Sequence, residues 1–165
     1  MNNWPIPVAG SMSRLIPGFA FAIGKAEGFG VTGAIPTRAN NPGDLVLGSV
    51  GFGTLGTKGI TIYPTFDQGV RALYRELNLI LTNTSRVYTN SMTFSQIAVL
   101  WTGNDNPIGW ASTVAKSLNV FPDTTIQGWV SNHVSNKDEE ISFIGLNPDS
   151  HGVYSDVVQL TRIKR

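Results

Sequence analysis

A chain of 165 residues with 41% hydrophobic and 10% aromatic content is long enough for one domain with a single core and too apolar for disorder. A formal net charge of +1 excludes the broad field expected of a nucleic-acid or anionic-membrane binder, and suits a neutral polymer with scattered charges. Cysteine is absent, so disulfides and thiolate metal sites are excluded; the two histidines, His133 and His151, lie far apart and read as surface residues, and no cofactor or metal is implied.

The first 24 residues carry no early basic residue, since Arg14 arrives late, and Pro17 and Gly18 break the apolar run. No run approaches the roughly 18 apolar residues of a spanning helix, so the chain is expected to be soluble, leaderless and not inserted in a membrane.

Pro17 fits the first turn of a helix, where a missing N–H is harmless, and that helix is expected to run to about Gly28. Phe19, Ala22, Ile23 and Ala26 fall on one face at helical spacing, and Gly28 and Gly30 end it. From Val31 to Tyr63 the helical period disappears. Short β-branched runs at Leu45 to Leu47 and Ile60 to Tyr63 predict two strands, joined by the glycine-rich GSVGFGTLGTKG as a hairpin connection or flap.

Helix returns at Phe66 after Thr65, with Gln68 completing a capping box and Val70, Leu73, Leu77, Ile80 and Leu81 as the buried stripe. A third helix is predicted from Thr93, again with Gln three residues on, carrying Phe94, Ile97, Ala98, Leu100 and Trp101. Asn106-Pro107 opens a fourth through Ile108, Trp110, Val114 and Leu118, and a weaker fifth includes Ile126, Trp129 and Val130. After Ser135 the chain is polar, then β-like at Val153 to Leu160. The expected fold class is α+β, mostly α, with a small β-hairpin between the first two main helices.

Of the four glutamates, Glu139 and Glu140 sit in an acidic run, and Glu76 beside Arg75 suits a surface ion pair. Glu27 alone lies among Ala, Phe, Ile and Gly, in the last turn of the first helix. Desolvation and the negative end of the helix dipole both disfavour its ionised form. A carboxylic acid that keeps its proton near neutral pH is what glycosidic cleavage requires.

The segments AEGFG, PTRANNPGDL, YPTFDQGVRALYREL and MTFSQIAVLWTGNDNPIGWASTVAKSLNV, in this order around a glycine-rich hairpin, resemble lysozyme-like domains of phage and prophage proteins. These are similar to goose-type lysozymes and soluble lytic transglycosylases. The resemblance spans about Ile16 to Asp123 and is most specific at Thr37 to Leu45 and Phe66 to Leu73. It implies a single lysozyme-like domain, with residues 124–165 as an extension outside the core of the pattern.

The resemblance also implies a glycosidase acting on the β-1,4 bond between N-acetylmuramic acid and N-acetylglucosamine, with peptidoglycan strands as partner and Glu27 as the catalytic acid. In transglycosylase-like members the substrate's acetamido group supplies the internal nucleophile and the acid then serves as base. In inverting hydrolases a second carboxylate, roughly 6.5–9.5 Å from the acid, positions a water. Asp44 is the candidate for that second role; its alternative is a turn residue capping backbone N–H groups in Pro-Gly-Asp. Because the transglycosylase route needs no second carboxylate, the balance leans slightly towards it.

Asn40, Asn41, Tyr63 and Trp110 are the candidate substrate-binding residues, each with a structural alternative in loop shaping or core packing. Resembling domains carry a Tyr where Trp110 stands, so the phenolic hydrogen bond to the acid is expected to be lost. Trp101 is assigned to the core, Asn104 and Asp105 to helix capping, and Arg38 either to a carboxylate partner or to solvent. The competing classes are a non-catalytic phage structural or wall-binding module and a chitinase-like hydrolase. The setting implied is a virion component, or a lysis enzyme released by a holin-like partner.

Overall fold

The computed structural model describes residues 14–46 and 53–135. Its elements, in order, are α1 (Ile16–Ala26), α2 (Ile35–Arg38), β1 (Thr54–Leu55), β2 (Ile60–Thr61), α3 (Phe66–Leu81), α4 (Phe94–Thr102), α5 (Pro107–Ser117) and α6 (Ile126–Ser135). The architecture is α+β and mostly helical, with a small two-stranded antiparallel sheet between α2 and α3. The expectations at Leu47, His151, the acidic Glu139 and Glu140, and the β-like Val153 to Leu160 lie outside the described residues.

Local chemistry accounts for the helix starts. Thr93 forms a complete capping box: its hydroxyl accepts from Gln96 N–H at 3.1 Å, and the Gln96 side chain accepts from Thr93 N–H at 2.9 Å. At Thr65 only half of the box forms, the hydroxyl accepting from Gln68 N–H at 3.3 Å. Asn106 caps α5 by accepting from Gly109 N–H, with Pro107 at the first helical position. The predicted stripe of α3 is buried throughout: Val70, Leu73, Leu77, Ile80 and Leu81.

The core gathers α1, α3, α4, α5 and α6. α1 packs against α5 and α3, and α5 packs against α4. Phe19, Phe94 and Trp129 meet edge-on, with ring centroids 5.3 to 6.1 Å apart. The core therefore continues past Asp123. Ile126 and Trp129 are buried in it, and the segment leading to α6 is fastened to α4 by Phe94 N–H to the Thr124 carbonyl and by a bridge between Thr93 and Thr125. The first part of the expected extension is structural, because α6 closes the apolar face of α1 and α4.

Two local expectations are corrected. Ile35–Arg38 forms a one-turn helix inside the stretch expected to be irregular. The first strand is Thr54–Leu55, paired with Ile60–Thr61 in the register Thr54 to Thr61 and Leu55 to Ile60, whereas residues 44–46 are not strand. The physical reason is Asn41. Its amide donates to the carbonyls of Leu45 and Thr61 at 2.9 Å each, and its oxygen accepts from Leu45 N–H at 3.0 Å. A side chain thus fills the place of a neighbouring strand, and only the Thr61 N–H to Leu45 carbonyl bond (2.9 Å) joins that stretch directly to β2.

Gly69 fixes how α3 meets this turn. A Cβ there would overlap the Asn40 carbonyl, so only glycine lets the first turn of α3 approach so closely. The first turn of α3 is thus a docking surface for residues 40–42.

Candidate active site

Glu27 is the C-cap residue of α1, its backbone N–H bonded to the Ile23 carbonyl. The residues after it are braced: Gly30 N–H donates to the Thr37 hydroxyl at 2.8 Å, and Phe29 stacks on Phe66 with centroids 5.2 Å apart. The Glu27 side chain reaches a cleft of about 680 Å³, walled by the end of α1, the turn at Asp44, the hairpin and the α4–α5 connection. Its lining includes Glu27, Asp44, Lys58, Trp101, Asp105 and Trp110.

Burial raises the Glu27 pKa from 4.5 to about 7, outweighing a lowering by the Trp110 hydrogen bond; Asp44 adds to the rise, while Lys58 and Trp101 oppose it. The group is therefore poised to hold or release a proton near neutrality. Trp110, only 4% exposed, donates its indole N–H to Glu27 Oε1 at 2.7 Å. An indole N–H only donates, so Trp110 steadies the carboxyl but neither supplies nor takes its proton. The hydrogen bond expected to vanish with the phenol is thus made by the indole. Close packing of α5 on α1 puts Trp110 where it can do this.

Asp44 sits at φ +51° in its turn and lines the same cleft. Burial raises its pKa, and Lys58 partly offsets the rise. Its Oδ1 is buried without a hydrogen-bond partner, so this oxygen is not capping the turn. Asp44 is held instead by backbone: its N–H donates to the Asn41 carbonyl at 3.1 Å.

The other expected substrate residues sit elsewhere. Asn41 is fully buried with its amide bound to backbone, so it builds the turn and does not reach the cleft. Asn40, at φ +52°, donates to the Tyr63 carbonyl at 3.0 Å and is likewise a turn residue. Tyr63 is 5% exposed, and its buried hydroxyl has no hydrogen-bond partner among the described residues. Neither of these two lines the cleft. Arg38 is exposed and takes part in none of the described ion pairs.

Sequence reasoning missed Lys58, at the hairpin tip. It pairs with Asp105 at 3.0 Å and donates to the Thr102 carbonyl at 3.3 Å, joining the hairpin to the α4–α5 connection. Asp105 thus binds Lys58, and the helix cap is Asn106. Trp101, assigned to the core, also lines the cleft; it donates to the Gly43 carbonyl at 3.1 Å and packs against Trp110 at 5.8 Å. The available signal for Lys58 was a single cation between two glycines in a hairpin. No protein family, curated protein or solved structure matches this chain.

Proposed function

We propose that this protein is a lysozyme-like glycosidase that cleaves the β-1,4 bond between N-acetylmuramic acid and N-acetylglucosamine in peptidoglycan, with Glu27 as general acid and then base. The observation that carries the reading is a half-buried carboxyl with a pKa of about 7, held by a donor-only indole and open to a cleft. Such a group protonates the leaving glycosidic oxygen as the bond breaks and charge develops on the sugar ring. The motif resemblance supplies the substrate class, and a mostly helical fold with a small hairpin agrees with it.

After bond cleavage two routes diverge. In the transglycosylase route the substrate's acetamido oxygen bonds to C1 as the leaving oxygen takes the Glu27 proton. The sugar's own 6-hydroxyl then displaces it at C1 while Glu27 takes that hydroxyl's proton, leaving 1,6-anhydro ends. A second reading, hydrolysis with Asp44 positioning a water, is favoured by one observation: Asp44 is a second carboxyl lining the same cleft as Glu27.

Glu27→Gln keeps the shape of the side chain and removes the proton. It should slow clearing of cell-wall suspensions by at least about 100-fold. Unchanged clearing would instead favour a wall-binding or structural module. Mass spectrometry of the wild-type digest distinguishes the routes: anhydro ends support transglycosylation, while reducing ends promote Asp44 and predict a similar loss in Asp44→Asn.

No helix among the described residues is long and apolar enough to cross a membrane. The resemblance to phage and prophage domains adds a setting to the proposal: a virion component, or an endolysin-type enzyme released by a holin-like partner.

A further inference from the structure

We infer that Trp101 is a positioning residue, whose indole fixes the turn carrying Asp44 and the Trp110–Glu27 pair relative to one another. The inference rests on the glycosidase reading for its catalytic meaning, but its geometry stands on three contacts. The Trp101 N–H donates to the carbonyl of Gly43, which lies 58 positions away in sequence and immediately precedes Asp44. One ring neighbour is Trp110, with centroids 5.8 Å apart, and Trp110 holds Glu27 Oε1 at 2.7 Å. The other is Tyr88, with centroids 5.6 Å apart, which backs the ring from the α3–α4 connection.

A packing role alone does not require the indole nitrogen. The ring could fill the same space as a phenyl group, and α4 would still present it to α5. The bond to Gly43 does something packing does not: it ties the backbone of a turn to a side chain of α4 by a directional contact. Asp44 lies at positive φ with an oxygen that has no partner, so its own side chain does not anchor it. Its placement therefore depends on ties around it: its own N–H to the Asn41 carbonyl, the Asn41 and Thr61 bonds to Leu45 after it, and Trp101 to the Gly43 carbonyl before it. The Trp101 N–H also lies near enough to the Glu27 carboxyl to lower its pKa, by less than Trp110 does.

The charged and titratable groups that bear on Glu27 are Asp44 and Lys58; Tyr88 responds to both Glu27 and Glu76, and Lys58 is itself paired with Asp105. Replacing an indole with a phenyl ring leaves the charge of each unchanged. Trp101→Phe removes the N–H while keeping an aromatic ring in place, so a change in the titration of Glu27 together with a shift of the Gly43 and Asp44 amides reports the lost donor.

The test follows carboxyl carbons by NMR in uniformly ¹³C-labelled protein, wild type against Trp101→Phe, alongside kinetics on soluble wall fragments. The variant should keep its thermal midpoint within a few degrees. The Glu27 titration midpoint should move upward, and the Gly43 and Asp44 amide signals should shift. The value of kcat should fall by about 10- to 100-fold with KM within about twofold, as expected when geometry and not binding is lost. A titration curve and amide signals that coincide with wild type would overturn the inference, whatever the kinetics show. A moved midpoint with unchanged kcat would equally overturn it, by removing the link to the chemistry. If neither protein cleaves wall fragments, the glycosidase reading fails, while a shifted midpoint and shifted amides still support the positioning role.

Discussion

Glu27 carries opposing demands. The burial that keeps its proton near neutrality also penalises its ionised form, so its presence weakens the fold wherever it must be charged. Its folded pKa of about 7 stands above the ordinary 4.5. The folded state therefore holds the proton more tightly than the unfolded chain does. Stability is fully present below pH 4.5 and is lost as pH rises through about 7, by roughly 3 kcal/mol if the whole shift is expressed. Glu27→Gln removes that linkage. Chemical denaturation should find the variant close to wild type at pH 4 and more stable at pH 8.5, by an amount on the order of 2–3 kcal/mol. Equal stability of the two proteins at pH 8.5 would show that the carboxyl is not desolvated in solution. Glu27 was legible because one acid in an apolar segment is unusual. Trp101 and Lys58 were not, because their partners lie 58 and 47 positions away and no local pattern encodes contacts of that span.

At the level of elements, capping chemistry and periodicity were readable and side-chain mimicry of backbone was not. Thr93 with Gln96, Asn106 with Pro107 and the α3 stripe marked their helices from short-range pattern alone. Ile35–Arg38 was missed because a single turn has no period to detect. The first strand was placed nine residues early because β-branched composition at Leu45 to Leu47 suggested a ladder, while Asn41 satisfies that backbone instead. The same residue explains why the motif around it is specific. Asn41→Ala should strand the Leu45 N–H and leave two carbonyls with one partner fewer in a buried setting. We expect a loss of roughly 2–4 kcal/mol in urea unfolding, together with displacement of the Asp44 turn. A loss below about 1 kcal/mol would mean that water or a backbone shift replaces those bonds.

Across the whole molecule, the site is assembled from both ends of the described chain. α1 supplies the acid, α5 and α4 supply its indoles, and α6 closes the core behind them. The segment to Asp123 contains the cleft lining but not all that holds it, because Trp129 makes its contacts with Phe19 and Phe94 from beyond that boundary. Trp129→Ala should cost about 3–5 kcal/mol, as for a large buried aromatic, and lower the thermal midpoint accordingly. A mild effect would show that the core is complete without α6.

The donor-only contact of Trp110 has a consequence for traffic through the site. An indole can steady a carboxylate but cannot take a proton from it or pass one on. The side of Glu27 that Trp110 covers is therefore closed to proton exchange, and the carboxyl gains or loses its proton from the cleft it lines. Under the proposed function, a sugar chain seated in the cleft would cover that access. Glu27 would then exchange its proton with the bound sugar, and with water only after the product has left.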